Sequence, residues 1–374
     1  MAGLKALAAG AVLIGSLAIG APTGPGHQSV GRSSDGVRPK AATASATLAG
    51  AERRAASGCD RMAATWGSDR SSGSPLHPVR HIRRLVKLLR RGKTGCLRTG
   101  TYTRRETFVR RDWITLRSAT DERATWRGRI VLKGRGDRLT HLNLDGSRGP
   151  RCHSRACGTL PSPTINGPDA TIADNDIKSP DSGICVHPRA WRREIPNRFK
   201  ILRNRIHDCG RHPRTGHDHG IYVADGKRGR ILYNVIYDNA DRGIQLYPDA
   251  RRTVVAYNTV DGNGSGVVYS ERSALNNVYD NVFTNSVARW NAETFNLYGH
   301  GNRFGGNCVR PSNRNPKYNE NGGVALPRRV YQYKNRRARD SVYEARAAGD
   351  FRILPTSACA GKGAPGSVAA PHAP

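Results

Sequence analysis

Ile201-Leu202-Arg203-Asn204-Arg205-Ile206 returns as Ile231-Leu232-Tyr233-Asn234-Val235-Ile236, as Val255-Ala256-Tyr257-Asn258-Thr259-Val260 and as Val278-Tyr279-Asp280-Asn281-Val282-Phe283, at intervals of 30, 24 and 23 residues. A second phrase follows each of the first three: His219-Gly220-Ile221-Tyr222-Val223, Arg242-Gly243-Ile244-Gln245-Leu246 and Ser265-Gly266-Val267-Val268-Tyr269. Apolar residues stand two apart within each phrase, the period of a strand with one buried face. Two strands per unit, a short repeat and no helical stretch predict an all-β solenoid of stacked coils.

Asn204, Asn234, Asn258 and Asn281, with Asn175 one coil earlier, form a column at one turn. With the flanking strands, this resembles the right-handed parallel β-helix of the pectate-lyase-like superfamily, whose coils carry an asparagine ladder. The resemblance covers roughly residues 78 to 361 and implies a fold more than a reaction, because one fold hosts many chemistries.

Outward from the repeats, residues 1–21 read as a secretory signal peptide, with Lys5, an apolar run from Ala6 to Ile19, and small residues before Pro22. Residues 22–57, rich in Ala, Gly, Ser and Pro, read as a disordered linker. The N-terminal cap is expected over 58–97, the parallel β-helix over 98–310, a C-terminal cap over 311–361 and a flexible tail over 362–374. Val79, Ile82, Leu85, Val86 and Leu89 recur at helical spacing, so an amphipathic helix over 79–91 is expected to cover the open end of the first coil. A second helix is expected from Val342 to Ala348.

The chain is expected outside the cell and, after signal cleavage, off the membrane, as a monomer. The eight cysteines fit that compartment, and no C-x-x-C pair suggests zinc or redox chemistry. Positions favour Cys59–Cys96, Cys152–Cys157, Cys185–Cys209 and Cys308–Cys359, although sequence leaves other connectivities open.

Lys and Arg number 61 against 29 Asp and Glu. On a secreted solenoid that balance points to an acidic polysaccharide rather than nucleic acid, for which no recurring motif is present. The alternative is a basic solvated surface, and the dispersal of Arg83-Arg84, Arg90-Arg91, Arg104-Arg105 and Arg328-Arg329 along the chain favours it.

Stacking the coils predicts one outward patch of Asp218, His219, Tyr222, Arg242, Gln245 and Tyr247, with Cys185, aligned with Tyr222, and His187 from the coil before. An insertion from His207 to His217 feeds this patch and brings His207, His212 and His217 near it. In the superfamily such a face binds polysaccharide, and lyases, epimerases and hydrolases share it. A lyase or C5-epimerase needs a cation on the uronate carboxylate, which Arg242 could supply, and a base for the alpha proton. His219 or Tyr222 could be that base, with the other, or His217, as acid. Gln245, Tyr247, His187, Asp241 and His212 are expected to contact substrate. Asp218 could orient a histidine or join Asp241 on Ca²⁺; no cofactor is otherwise required.

The patch departs from known patterns, since it lacks a clear lysine and the D-P-H phrase associated with alginate epimerases. His219-Gly220-Ile221 resembles the G-H-G phrase of polygalacturonase-like hydrolases, and Asp218 with Asp241 could serve as a hydrolytic pair. A non-catalytic carbohydrate-binding or surface protein using the same face is the third reading.

Overall fold

The computed structural model describes Arg54 and residues 56–152, 158–180 and 183–369. The expected signal peptide, nearly all of the expected linker, Asp181, Ser182, Cys157 and residues 370–374 lie outside the described residues.

Both recurring phrases are strands. The first builds an 11-stranded parallel sheet from Arg61–Ala63 to Val330–Tyr333, with Ile201, Ile231, Val255 and Val278 in register and fully buried. After a two-residue turn that ends in the asparagine, a second ladder begins; it includes Leu142–Asp145, Asp176–Pro180, Arg205–Gly210, Val235–Tyr237 and Val282–Thr284. The other phrase forms a third ladder through Ile184–Pro188, His219–Val223, Arg242–Leu246, Ser265–Ser270 and Ala292–Phe295. Each coil thus contributes one strand to each ladder, and inward side chains fuse into one continuous apolar core. The glycine column of the third ladder lets coils approach closely: a Cβ on Gly266 would stand 2.1 Å from the Asn291 carbonyl oxygen.

The asparagine column holds the corner between the first and second ladders. Asn204 donates from its backbone N–H and from Nδ2 to Asn234 Oδ1, at 2.9 and 3.0 Å, and also caps the Ile172 carbonyl at 3.0 Å. The pattern repeats from Asn175 to Asn335. Buried backbone groups at a sharp corner need partners, and the amide supplies both a donor and an acceptor at each level. Arg203, Tyr233, Tyr257 and Asp280, just before these asparagines, take left-handed φ of 51°, 62°, 53° and 52°, a conformation that the ladder bonds hold against its steric cost.

Several boundaries differ from expectation. The N-terminal helix, α1, spans Ile82–Leu88 and buries Ile82, Leu85 and Val86 in the core. Strands begin at Arg61 and continue to Arg337, beyond both limits set for the β-helix. Val342 to Ala348 is not a helix: Tyr343–Ala345 pairs antiparallel with Asp350–Ile353, and a 3-10 turn spans Arg346–Ala348. This segment does not close the end of the solenoid but lies along the outer face of the second ladder. Val342, Tyr343 and Phe351 form a separate apolar cluster with Val235, Val282 and Cys308, whose outward side chains would otherwise face water. Residues 362–369, expected as tail, are packed too: Val368 and Ala369 are buried, and their carbonyls accept from Arg205 Nη1 at 3.1 and 3.3 Å.

Disulfides join Cys59 to Cys96, Cys185 to Cys209 and Cys308 to Cys359. Cys152 is disulfide-bonded as well, and its expected partner lies outside the described residues. Among the described residues no helix is long and apolar enough to cross a membrane.

Candidate functional site

The third ladder places His187, Tyr222, Gln245, Val268 and Glu293 in one outward column, because Val186 pairs with Ile221, Tyr222 with Gln245, Gln245 with Val268, and Val268 with Glu293. The sequence alignment had set Cys185 opposite Tyr222, which is off by two residues. A two-residue slip preserves the face but moves each side chain about 7 Å along the strand. His187 is therefore the neighbour of Tyr222, with rings stacked at 4.9 Å and 9°. Tyr247 continues the stack at 6.0 Å and 18°, and His219 meets Tyr222 edge-on at 5.4 Å. Tyr222 and Tyr247 are half-buried, and Tyr298 and Phe295 beyond them are exposed.

Beneath the aromatic column lies a charged cluster. Asp241, fully buried, accepts a hydrogen bond from Arg289 Nη2 at 2.7 Å on one oxygen, and Arg242 Nη1 stands at ion-pair distance, 3.1 Å, from the other. Arg289 also bonds Glu293 at 2.8 Å. Arg242 reaches across to the Gly216 carbonyl at 3.0 Å and so latches the insertion over the site. Asp218 is buried and accepts from the Thr215 backbone N–H and from its hydroxyl at 2.9 Å, fixing the same loop.

Burial sets the protonation states. His219, 1% exposed, is held well below the ordinary histidine range by burial and by the positive charge of Arg242. His187 falls to about 3 by burial, with Arg189 and Arg129 adding to the shift. Burial raises the Tyr222 phenol, and Tyr247 and Asp225 raise it further. At neutral pH both histidines are neutral and Tyr222 keeps its proton, so Tyr222 is suited to donate a proton rather than to accept one.

Several buried polar atoms here have no hydrogen-bond partner: His187 Nε2, Asp218 Oδ1, His219 Nδ1, Asp241 Oδ2, Arg242 Nε and Ser265 Oγ. Each costs about 1–3 kcal/mol when unsatisfied. Their gathering makes this face of the third ladder the candidate site.

The fourfold histidine cluster does not assemble. His207 lies on the second ladder, bonded to Asp176 at 3.0 Å and Asp208 at 2.7 Å. His219 is buried in the wall, and only His212 and His217 are exposed on the loop. The pair Asp218 and Asp241 does not fit Ca²⁺, since two guanidinium groups already stand at ion-pair distance from Asp241 and would repel a further cation. Among the described residues, no group of three or more His, Cys, Asp or Glu side chains is arranged to hold a metal ion. Sequence reasoning missed Arg289 and Glu293; carrying the strand alignment one coil past Val268 finds Glu293, whereas Arg289 stands in an irregular turn.

The family description "Right handed beta helix region" matches residues 142–309. The chain folds as a right-handed parallel β-helix. This β-helix is similar to the pectate lyase Pel9A at 11% identity and a TM-score of 0.56, over 80% of this chain and 90% of that one. An alginate lyase from Paenibacillus sp. str. FPU-7 (16% identity, TM-score 0.44, 68% and 95% covered) and the Azotobacter vinelandii mannuronan C-5 epimerase AlgE4 A-module (15%, 0.36, 66% and 87%) are more distant in shape. No curated protein matches the β-helix sequence.

Proposed function

We propose that the protein is an exported enzyme acting on an acidic, uronate-containing polysaccharide along the outer face of the third ladder, as a lyase or C5-epimerase. The observation that carries this reading is the set of unpartnered buried polar atoms beneath an aromatic column and beside the Arg242 guanidinium. Stacked rings offer apolar faces to sugar rings, and a guanidinium matches a carboxylate. The shared fold with Pel9A, a pectate lyase by name, is consistent with that substrate class.

In this reading Arg242 neutralises the uronate carboxylate and so favours loss of the alpha proton. His217, exposed on the latched loop, takes that proton; Tyr222 gives its own to the leaving oxygen in elimination, or to the opposite face of the ring in epimerisation. His187 and Tyr247 support the sugar, Gln245 and His212 bond its hydroxyls, and His219, Asp218 and Asp241 act as positioning residues. Hydrolysis is disfavoured because Asp241 is fully buried and ion-paired with Arg242 and Arg289.

Incubation with polygalacturonate, alginate and a neutral glucan tests the reading. Unsaturated ends absorbing in the ultraviolet, or a changed uronate epimer ratio, are expected with the acidic polymers alone. New reducing ends without that absorbance would make the protein a hydrolase, and binding without any product a carbohydrate-binding protein; either overturns the proposal.

A further inference from the structure

A second surface, on the first coils, gathers basic residues that the sequence disperses. Arg83 and Lys87 on α1 meet Arg104, Arg110 and Arg111, from the strand Gly100–Val109 and the turn after it, around a cleft of about 320 Å³. All five are exposed, and among the described residues none has a carboxylate at ion-pair distance. Some other arginines on these coils are matched, as Arg98 is by Glu122 and Arg127 by Asp145. The acid lining the cleft, Glu106, is already paired with Arg129.

Like charges crowded without counter-charge repel one another and are tolerated where a partner supplies the anions. An independent observation agrees. Thr107 lines the same cleft, is only 5% exposed, and its hydroxyl has no hydrogen-bond partner. A buried, unbonded hydroxyl beside five cations is a donor without an acceptor, and an oxyanion would satisfy it.

We propose that this cleft is a second polyanion-binding site, taking the oxyanion groups of an acidic polysaccharide at the N-terminal end of the solenoid. Cations already lie over the rings nearest the cleft. Arg110 lies 4.7 Å and Lys133 5.3 Å from the Phe108 ring, and Lys133 is also 4.9 Å from the Trp191 ring. Single-stranded nucleic acids are held by open aromatic faces, whereas this surface offers charge and a hydroxyl, which suits a chain of spaced acidic groups. The site needs no turnover on the third ladder, so it stands or falls independently of the proposed reaction.

The test measures binding of the full chain to polygalacturonate, to heparin and to a short DNA duplex at low and moderate salt. Compared are Arg83→Glu/Lys87→Glu/Arg104→Glu and a charge-matched control, Arg228→Glu/Arg252→Glu/Lys334→Glu. The cleft variant is expected to lose about tenfold or more in affinity for an acidic glycan and much of its salt dependence, with the control losing about threefold at most. The glycan bound more tightly, carboxylated or sulfated, names the oxyanion. Thr107→Val should weaken glycan binding severalfold without lowering the melting temperature. Equal losses in both triple variants would show diffuse charge attraction and overturn the site, and so would tighter binding of DNA than of either glycan.

Discussion

His207 stacks on Tyr237 at 4.8 Å and bonds two carboxylates, Asp176 and Asp208. Burial alone would lower its pKa, but the two acids outweigh it and raise the value to about 9. The folded protein thus keeps a proton that the unfolded chain releases near pH 6.5. Its contribution, about 3 kcal/mol for a shift of this size, is present below about pH 6.5 and lost as pH rises through about 9. Urea unfolding near pH 6 and near pH 10 should show this fall, and His207→Gln should remove most of it. For Tyr222, the Phe substitution separates the phenol from the ring. Tyr222→Phe should cut turnover about 10² to 10⁴-fold with binding kept, whereas Tyr222→Ala should weaken binding too. Equal effects of the two substitutions in binding and rate would assign Tyr222 to the stack alone. Arg242→Ala leaves buried Asp241 with one cation instead of two, so a loss of about 3 kcal/mol in urea unfolding should accompany the loss of activity.

At the scale of the element, the asparagine ladder joins one coil to the next. Asn258 Nδ2 donates to Ile231, Ala256 and Asn281, and its Oδ1 accepts from Asn234. Asn258→Ala strands buried groups on two neighbouring coils, and should cost about 3–5 kcal/mol by urea unfolding. Asn335→Ala, at the partly exposed end of the same column, should cost about 1 kcal/mol, because it serves a single neighbour. The column was legible as far as Asn281, where the phrases repeat plainly. Asn307 and Asn335 escaped notice because their flanking strands, Asn302–Gly305 and Val330–Tyr333, depart from the motif. The two shorter ladders, Asn239 to Asn263 and Asn276 to Asn302, follow the same logic at other corners.

For the whole molecule, the outer face of the second ladder is covered where the first coils leave it open. Phe351 packs on Tyr237 at 4.7 Å and Tyr343 bonds Thr284 at 2.6 Å, joining the C-terminal segment to three coils with Arg346, which pairs with Asp238 and Asp261. Phe351→Ala should cost about 3–5 kcal/mol. Limited proteolysis of that variant should then release fragments cut between residues 338 and 369 before the coils are attacked. Cuts appearing in the coils at the same rate would show one cooperative unit instead.

The sequence by itself determined the coils, their inward faces and the first asparagine corner, because strand period, turn chemistry and repeat length are local properties that neighbouring residues enforce. The described disulfides also follow the expected pairs; for Cys185–Cys209 the reason is that the solenoid brings residues one coil apart together. Only the tertiary structure decided the site. A two-residue register choice set His187 rather than Cys185 against Tyr222, and burial silenced His219 as a base. Ion pairing took Asp241 from calcium and His207 from the loop. The fold-back of residues 338–369 and the convergence of dispersed arginines around Thr107 are likewise non-local. They depend on which outward side chains remain uncovered after the coils have stacked, and no periodicity records that.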